Sequence, residues 1–168
     1  DIRSTNPTLL TDWKNALLRE LYKATRSYLQ QEEANSLSTQ ELVDNKKNSA
    51  ARQLHEQGIS REACDAFWEQ MNPEYLLQHP VDLLVWHIEE IHQAPDNTPI
   101  VRMKQDERHS SSQVFIYIKD RGSLFTRICS ALEQMQINIV AANLASSTSG
   151  YVLDTLTFLN AHGKRVTL

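Results

Sequence analysis

Residues 113–159 read QVFIYIKDRGSLFTRICSALEQMQINIVAANLASSTSGYVLDTLTFL, and the periods inside this stretch decide the fold. Val114, Phe115, Ile116, Tyr117 and Ile118 form a β-branched and aromatic run of strand length. The turn Lys119-Asp120-Arg121-Gly122-Ser123 follows it. Leu124, Phe125, Ile128, Cys129, Leu132 and Met135 then recur at steps of one, three and four, with Arg127, Ser130, Glu133 and Gln134 opposite, which predicts an amphipathic helix. Residues 137–142 and 151–159 are two more strand-like runs, and the Ser146-Ser147-Thr148-Ser149-Gly150 cluster between them reads as a hairpin turn. The order β-α-β-β predicts one helix backing an antiparallel-type sheet.

Upstream, Ile100-Val101-Arg102-Met103 reads as another strand and residues 106–112 as a polar loop. The first 94 or so residues have helical period instead. Asn6-Pro7 is a cap followed by proline at a first helical position, and Leu10, Trp13, Leu17, Leu21 and Tyr28, with Leu18 and Leu29 alongside, make one stripe. Ser38-x-x-Glu41 has the capping-box pattern for a second helix that ends at Gly58. Ser60 caps a third helix, Asn72-Pro73 opens a short fourth, and His79-Pro80 opens a fifth with Leu83, Leu84, His87, Ile88 and Ile91 inside. The expected fold class is α+β: a helical bundle over residues 1–95, then a sheet domain over residues 99–168.

Charge divides at the same place. Residues 1–98 hold 9 Lys/Arg and 16 Asp/Glu, net −7, whereas residues 99–168 hold 8 and 5, net +3. Neither half has a clustered basic face, so no nucleic-acid footprint is expected. No apolar run nears the ~20 residues of a membrane span, so no membrane association is expected either. Cys64 and Cys129 lie on apolar helical faces and read as reduced core residues of a cytoplasmic protein. The chain opens with Asp1-Ile2-Arg3, which predicts an excised piece of something longer rather than a signal peptide.

Catalytic chemistry has little to stand on. His87 and His92 are five apart, about 140° around a helix, so they cannot share a metal as an i, i+4 pair does. No GxSxG, P-loop, GxGxxG or CxxC motif occurs. No carboxylate pair sits in an apolar context suited to acid–base work. The expected catalytic and metal residues are therefore none. The turn after the first strand of the quoted stretch is the better candidate, because free N–H groups at a helix start attract anions. A carboxylate could lie on the amides near Ser123 and Leu124 while Asp120 accepts an ammonium. The plainer alternative is that Asp120 caps the helix and Gly122 only serves the turn.

Residues 115–159 resemble the first ACT domain of the bifunctional PII uridylyltransferase/uridylyl-removing enzymes, chiefly through Asp120-Arg121 with Leu124-Phe125, Asn138-Ile139-Val140, and Gly150-Tyr151-Val152-Leu153-Asp154-Thr155. The opening run DIRSTNPTLLTDWKNALLRELYKATRSYL is similar to the end of that family's HD-type hydrolase domain and the helix after it, and PEYLLQHPVDLLVWHIEEI to its linking helical segment. The resemblance implies a regulatory, non-catalytic segment that senses glutamine and controls uridylylation and deuridylylation of the PII signal protein. Carried onto this chain, the ligand-facing residues are Asp120, Arg121, Gly122, Ser123, Leu124 and Asn138. Gly122 stands where the family usually has proline, leaving that loop freer.

Mg2+ and UTP are implied for the parent enzyme and no cofactor for this segment. An ACT domain is βαββαβ, so the resemblance also implies a ferredoxin-like sheet lacking its last helix and strand. Such a sheet has an open edge and an uncovered apolar face, which predicts a homodimer or element swapping through it. The rival readings are a helical scaffold with an ACT pairing surface and no ligand, and a free-standing metal hydrolase, which the histidine spacing disfavours.

Overall fold

The computed structural model describes residues 11–31, 39–95 and 98–166. Five helices come first: α1 (Asp12–Gln31), α2 (Thr39–Glu56), α3 (Arg61–Gln70), α4 (Pro73–Gln78) and α5 (Val81–Gln93). β1 (Ile100–Asp106), β2 (Ser111–Lys119), α6 (Leu124–Gln134), β3 (Asn138–Ser146) and β4 (Tyr151–Leu159) follow. The Asn6-Pro7 and Ser38 capping signals lie outside the described residues. Others are visible. Ser60 Oγ accepts the Ala63 N–H at 3.2 Å, and Asn72 Oδ1 accepts the Glu74 N–H at 2.9 Å. Gly58, at φ +83°, takes the left-handed conformation that ends α2.

The strands form one antiparallel sheet in the order β1-β2-β4-β3. Residues 106–112 are less of a loop than their polarity predicts. Asp106 pairs with Ser111 and Gln105 with Ser112, leaving residues 107–110 as the turn, with Ser110 left-handed at φ 50°. Polar side chains suit a ladder whose backbone bonds are made regardless of side chain. β3 likewise runs beyond the apolar run to Ser146, with a register shift between Ile139 and Ala141.

Alternation along the strands gives the sheet two apolar faces. On one, Val114, Ile116, Leu156 and Phe158 meet Ile128 and Leu132 of α6. On the other, Phe115 and Leu153 join Leu84, Val85 and Ile88 of α5, Tyr75 and Leu76 of α4, and Leu54 of α2. The second face is thus covered by the chain's own helices. β1 fills the edge beside β2. What stays open is the α6 side of β1, where Val101 and Met103 are exposed.

Helix α1 departs from expectation. Leu17, Leu18, Leu21 and Tyr22 are exposed, Leu21 by 63%. Periodicity shows that a helix has an apolar face; it does not say whether a neighbour covers it. The cysteines are free, Cys64 buried and Cys129 half-buried. No described helix is long and apolar enough to cross a membrane.

A polar network stitches bundle to sheet. His87 is fully buried, stacked on Phe115 with ring centroids 4.5 Å apart. Its Nδ1 lies 3.0 Å from Tyr75 Oη and its Nε2 3.2 Å from Thr155 Oγ1 on β4. His79, also fully buried, donates from Nδ1 to the Tyr75 carbonyl at 2.8 Å, and its ring lies 5.2 Å from that of His87. Lys46 Nζ donates to the carbonyls of Leu76, Leu77 and His79 at 2.8–2.9 Å, closing the C-terminal end of α4.

Candidate functional site

The β2–α6 turn has an unusual build. Ser123 is the N-cap of α6, yet its side chain makes no capping bond and its backbone is left-handed, at φ 62° and ψ 17°. Gly122 does not take that conformation, and a Cβ built on it would meet nothing within 4 Å. The glycine is therefore not what the turn requires; the strained position is the serine. Asp120 does not cap the helix. Its N–H donates to the Gly150 carbonyl at 2.9 Å, tying the turn to the β3–β4 hairpin. Leu124 N–H donates to Arg121 O and Arg127 N–H to Ser123 O, both at 3.1 Å.

A cavity of about 210 Å³ opens beside this turn, lined by Asp120, Leu124, Phe125, Leu144, Val152 and Asp154 among others. Of the six residues expected to face a ligand, the structure brings Asp120 and Leu124 onto it. Arg121, Gly122 and Ser123 are exposed on the turn but do not line it. Asn138 is elsewhere. It pairs with Leu159, eight residues along β4 from the Tyr151 that faces Lys119, or roughly 26 Å at strand rise. Its Nδ2 donates to Asn160 O at 3.3 Å. A helix separates Ser123 from Asn138 in sequence, so the two sit at opposite ends of it.

Asp154 is the residue that motif reading missed. It is 4% exposed, opposite Ile116 on β2 and Leu144 on β3. The signal was present in the sequence, since Val152, Leu156 and Phe158 occupy the same period-two face and Asp154 interrupts their row. Among the described residues neither Asp154 nor Asp120 makes a side-chain hydrogen bond or ion pair. Burial, and then the neighbouring Asp120 carboxylate, push the Asp154 pKa up to about 6.

In the folded chain this carboxyl holds its proton above the ordinary aspartate value of 3.8. The folded state holds the proton more tightly, so stability is present at low pH and lost as pH rises from about 4 through 6. Asp154→Asn is therefore expected to stabilise the chain by about 2 kcal/mol at pH 7 and by little near pH 4.5. Urea unfolding at both pH values checks this; an equal change at the two would remove the carboxylate's charge as the cause.

A larger cleft, about 1080 Å³, runs between α1, α5 and the β1–β2 hairpin. His109 Nδ1 is 2.7 Å from Asp106 Oδ2 and its Nε2 2.8 Å from Glu20 Oε1. No group of three or more His, Cys, Asp or Glu among the described residues is placed to hold a metal ion.

Residues 38–90 match the family model described as Uridylyltransferase GlnD fifth domain. Over 99% of its length the chain is similar to proteins named bifunctional uridylyltransferase/uridylyl-removing enzyme. It is 36% identical to that of Pseudomonas aeruginosa, 32% to that of Idiomarina loihiensis and 30% to that of Vibrio campbellii. The chain spans 19% of the length of each of these relatives. No solved structure matches it.

Proposed function

Since this chain belongs to the bifunctional uridylyltransferase/uridylyl-removing enzyme family, we propose that it is a regulatory, non-catalytic segment whose sheet-and-helix half senses glutamine. The single observation that carries the reading is the cavity at the β2–α6 turn, where Asp120 faces space rather than a capping partner. A small amino acid seated there bridges the turn, the start of α6 and the end of the β3–β4 hairpin. Binding one arrangement of these elements better than another shifts a conformational balance, and only that difference in affinity does so. In the whole enzyme the shift sets UMP addition to the PII signal protein against its removal. Mg2+ and UTP belong to the transferase chemistry and to residues outside this segment.

The test is calorimetric titration of the intact chain with glutamine, glutamate and alanine. Heat is expected with glutamine and not with the other two, and Asp120→Ala abolishes it. Equal heats from all three, or an unchanged response in the variant, would sink the reading. The uncovered face of α1, with Leu18, Leu21 and Tyr22 exposed, favours a second role as a scaffold that docks a catalytic domain of the same enzyme.

A further inference from the structure

We infer that the cavity at the start of α6 is a receptor for a primary ammonium group on a short apolar stem, held between Asp154 and Asp120. This rests on the reading above that the turn binds a small metabolite, and it assigns which end of that metabolite is recognised. The sequence alone places a carboxylate on the helix amides and an ammonium at Asp120. The structure adds a second carboxylate, Asp154, on the ammonium's side. Two carboxylates line the cavity, no basic side chain does, and the remaining walls include Leu124, Phe125, Leu144 and Val152.

Asp154 carries the argument. A carboxylate that is 4% exposed and has no side-chain partner among the described residues is costly, because burial strips much of its water. The apolar row it interrupts would pack better with a leucine or valine. Its place beside an open cavity, facing a second unpaired carboxylate, is the arrangement a cation completes. An ammonium brings three donors and one positive charge, enough to satisfy oxygens on both carboxylates. A bound carboxylate would instead add a third negative charge to the same space. A divalent metal fits poorly, since it wants six or more oxygens and the walls supply apolar carbon. The volume, about 210 Å³, is several times the roughly 30 Å³ share of one water, so an aliphatic stem has room beside Phe125 and Val152.

The probes are n-propylammonium chloride, sodium propionate and glutamine, each titrated into the intact chain and followed by NMR of the Asp154 carboxyl and the Phe125 amide. Propylammonium is expected to give saturable shifts and to move the Asp154 titration midpoint down from about 6 by roughly one pH unit. Propionate gives no shift at these positions. Asp154→Asn and Asp120→Asn each weaken propylammonium binding roughly tenfold or more, with the rest of the spectrum preserved. Propionate binding as well as propylammonium, or unchanged binding in both variants, overturns the assignment. Glutamine without effect while propylammonium binds keeps the ammonium seat and removes glutamine as the effector. Glutamine binding that ignores Asp154→Asn, with propylammonium inert, does the opposite.

Discussion

Phe115→Ala is expected to cost about 3–5 kcal/mol, against a typical domain stability of roughly 5–15 kcal/mol, and to loosen bundle and sheet in the same step. Phe115 is 0% exposed at the middle of β2, between Arg102 on β1 and Thr155 on β4 in the ladder. Its ring stacks on His87 and lies 5.7 Å from that of Trp86, both on α5. Truncation removes the transfer free energy of the ring and leaves a void that rigid strands on one side and a packed helix on the other cannot close. The buried cluster is continuous from Leu54 and Leu84 through Phe115 to Leu153, so the loss is shared by elements on both sides of Pro95. Urea unfolding followed by far-ultraviolet circular dichroism and by tryptophan fluorescence should show one coincident transition at lower midpoint. Two separated transitions, or a loss below about 1 kcal/mol, would show that helices and sheet are stabilised independently.

Acidification from pH 7 to 5 should lower the stability further, by on the order of 2 kcal/mol. Burial holds the pKa of His87 well below the ordinary histidine value, with His79 and Lys104 pushing the same way. Burial also lowers that of His79; the bond to the Tyr75 carbonyl opposes this and Lys46 reinforces it. Both rings are therefore neutral in the folded chain at a pH where the unfolded chain, with histidines near 6.5, takes up protons. The unfolded state binds more protons below that value, so stability is complete above it and falls as pH drops. The groups at the His87 ring nitrogens, Tyr75 Oη and Thr155 Oγ1, are neutral hydroxyls that bring no negative charge to balance an imidazolium.

Asp154 works against this trend between pH 6 and 4, returning roughly 1 kcal/mol, so Asp154→Asn should steepen the acid loss. Urea midpoints measured across pH 5–7 decide the matter, together with imidazole proton resonances. A flat or rising stability toward pH 5, or folded-state titration of both buried rings near 6.5, would contradict the sign.

Much of the local structure was legible because its causes lie within a few residues. Ser60 and Asn72-Pro73 satisfy or dispense with the first N–H groups of a helix, and the structure shows those bonds made. The stripe from Leu124 to Leu132 has one solution at 3.6 residues per turn, and α6 adopts it. The run from Tyr151 to Leu159 is bounded by a left-handed Gly150 and becomes β4 over those same residues. Even His87 could be read as a core histidine from its neighbours Leu83, Leu84 and Ile88.

The candidate site was legible by half. Asp120 and Leu124 follow from the turn between a strand and a helix, which is local chemistry. Asn138 is adjacent to them in motif but not in space, because the length of α6 intervenes. Asp154 reaches the cavity from a strand some thirty residues downstream, and only the β2–β4 register, Ile116 with Asp154, puts it there.

The amino-acid order by itself settled the order of the described helices and strands, the caps at Ser60 and Asn72 and which faces are apolar, since backbone period and side-chain pattern act over one or two turns. The tertiary structure alone decided what meets those faces. It set β1 at the edge beside β2, laid α4 and α5 on the Phe115 side, left α1 uncovered, and turned Asp120 and Asp154 toward one space. Those outcomes depend on contacts between residues far apart in the chain. An apolar face can be covered by any of several partners, and the choice is made by packing the whole molecule at once.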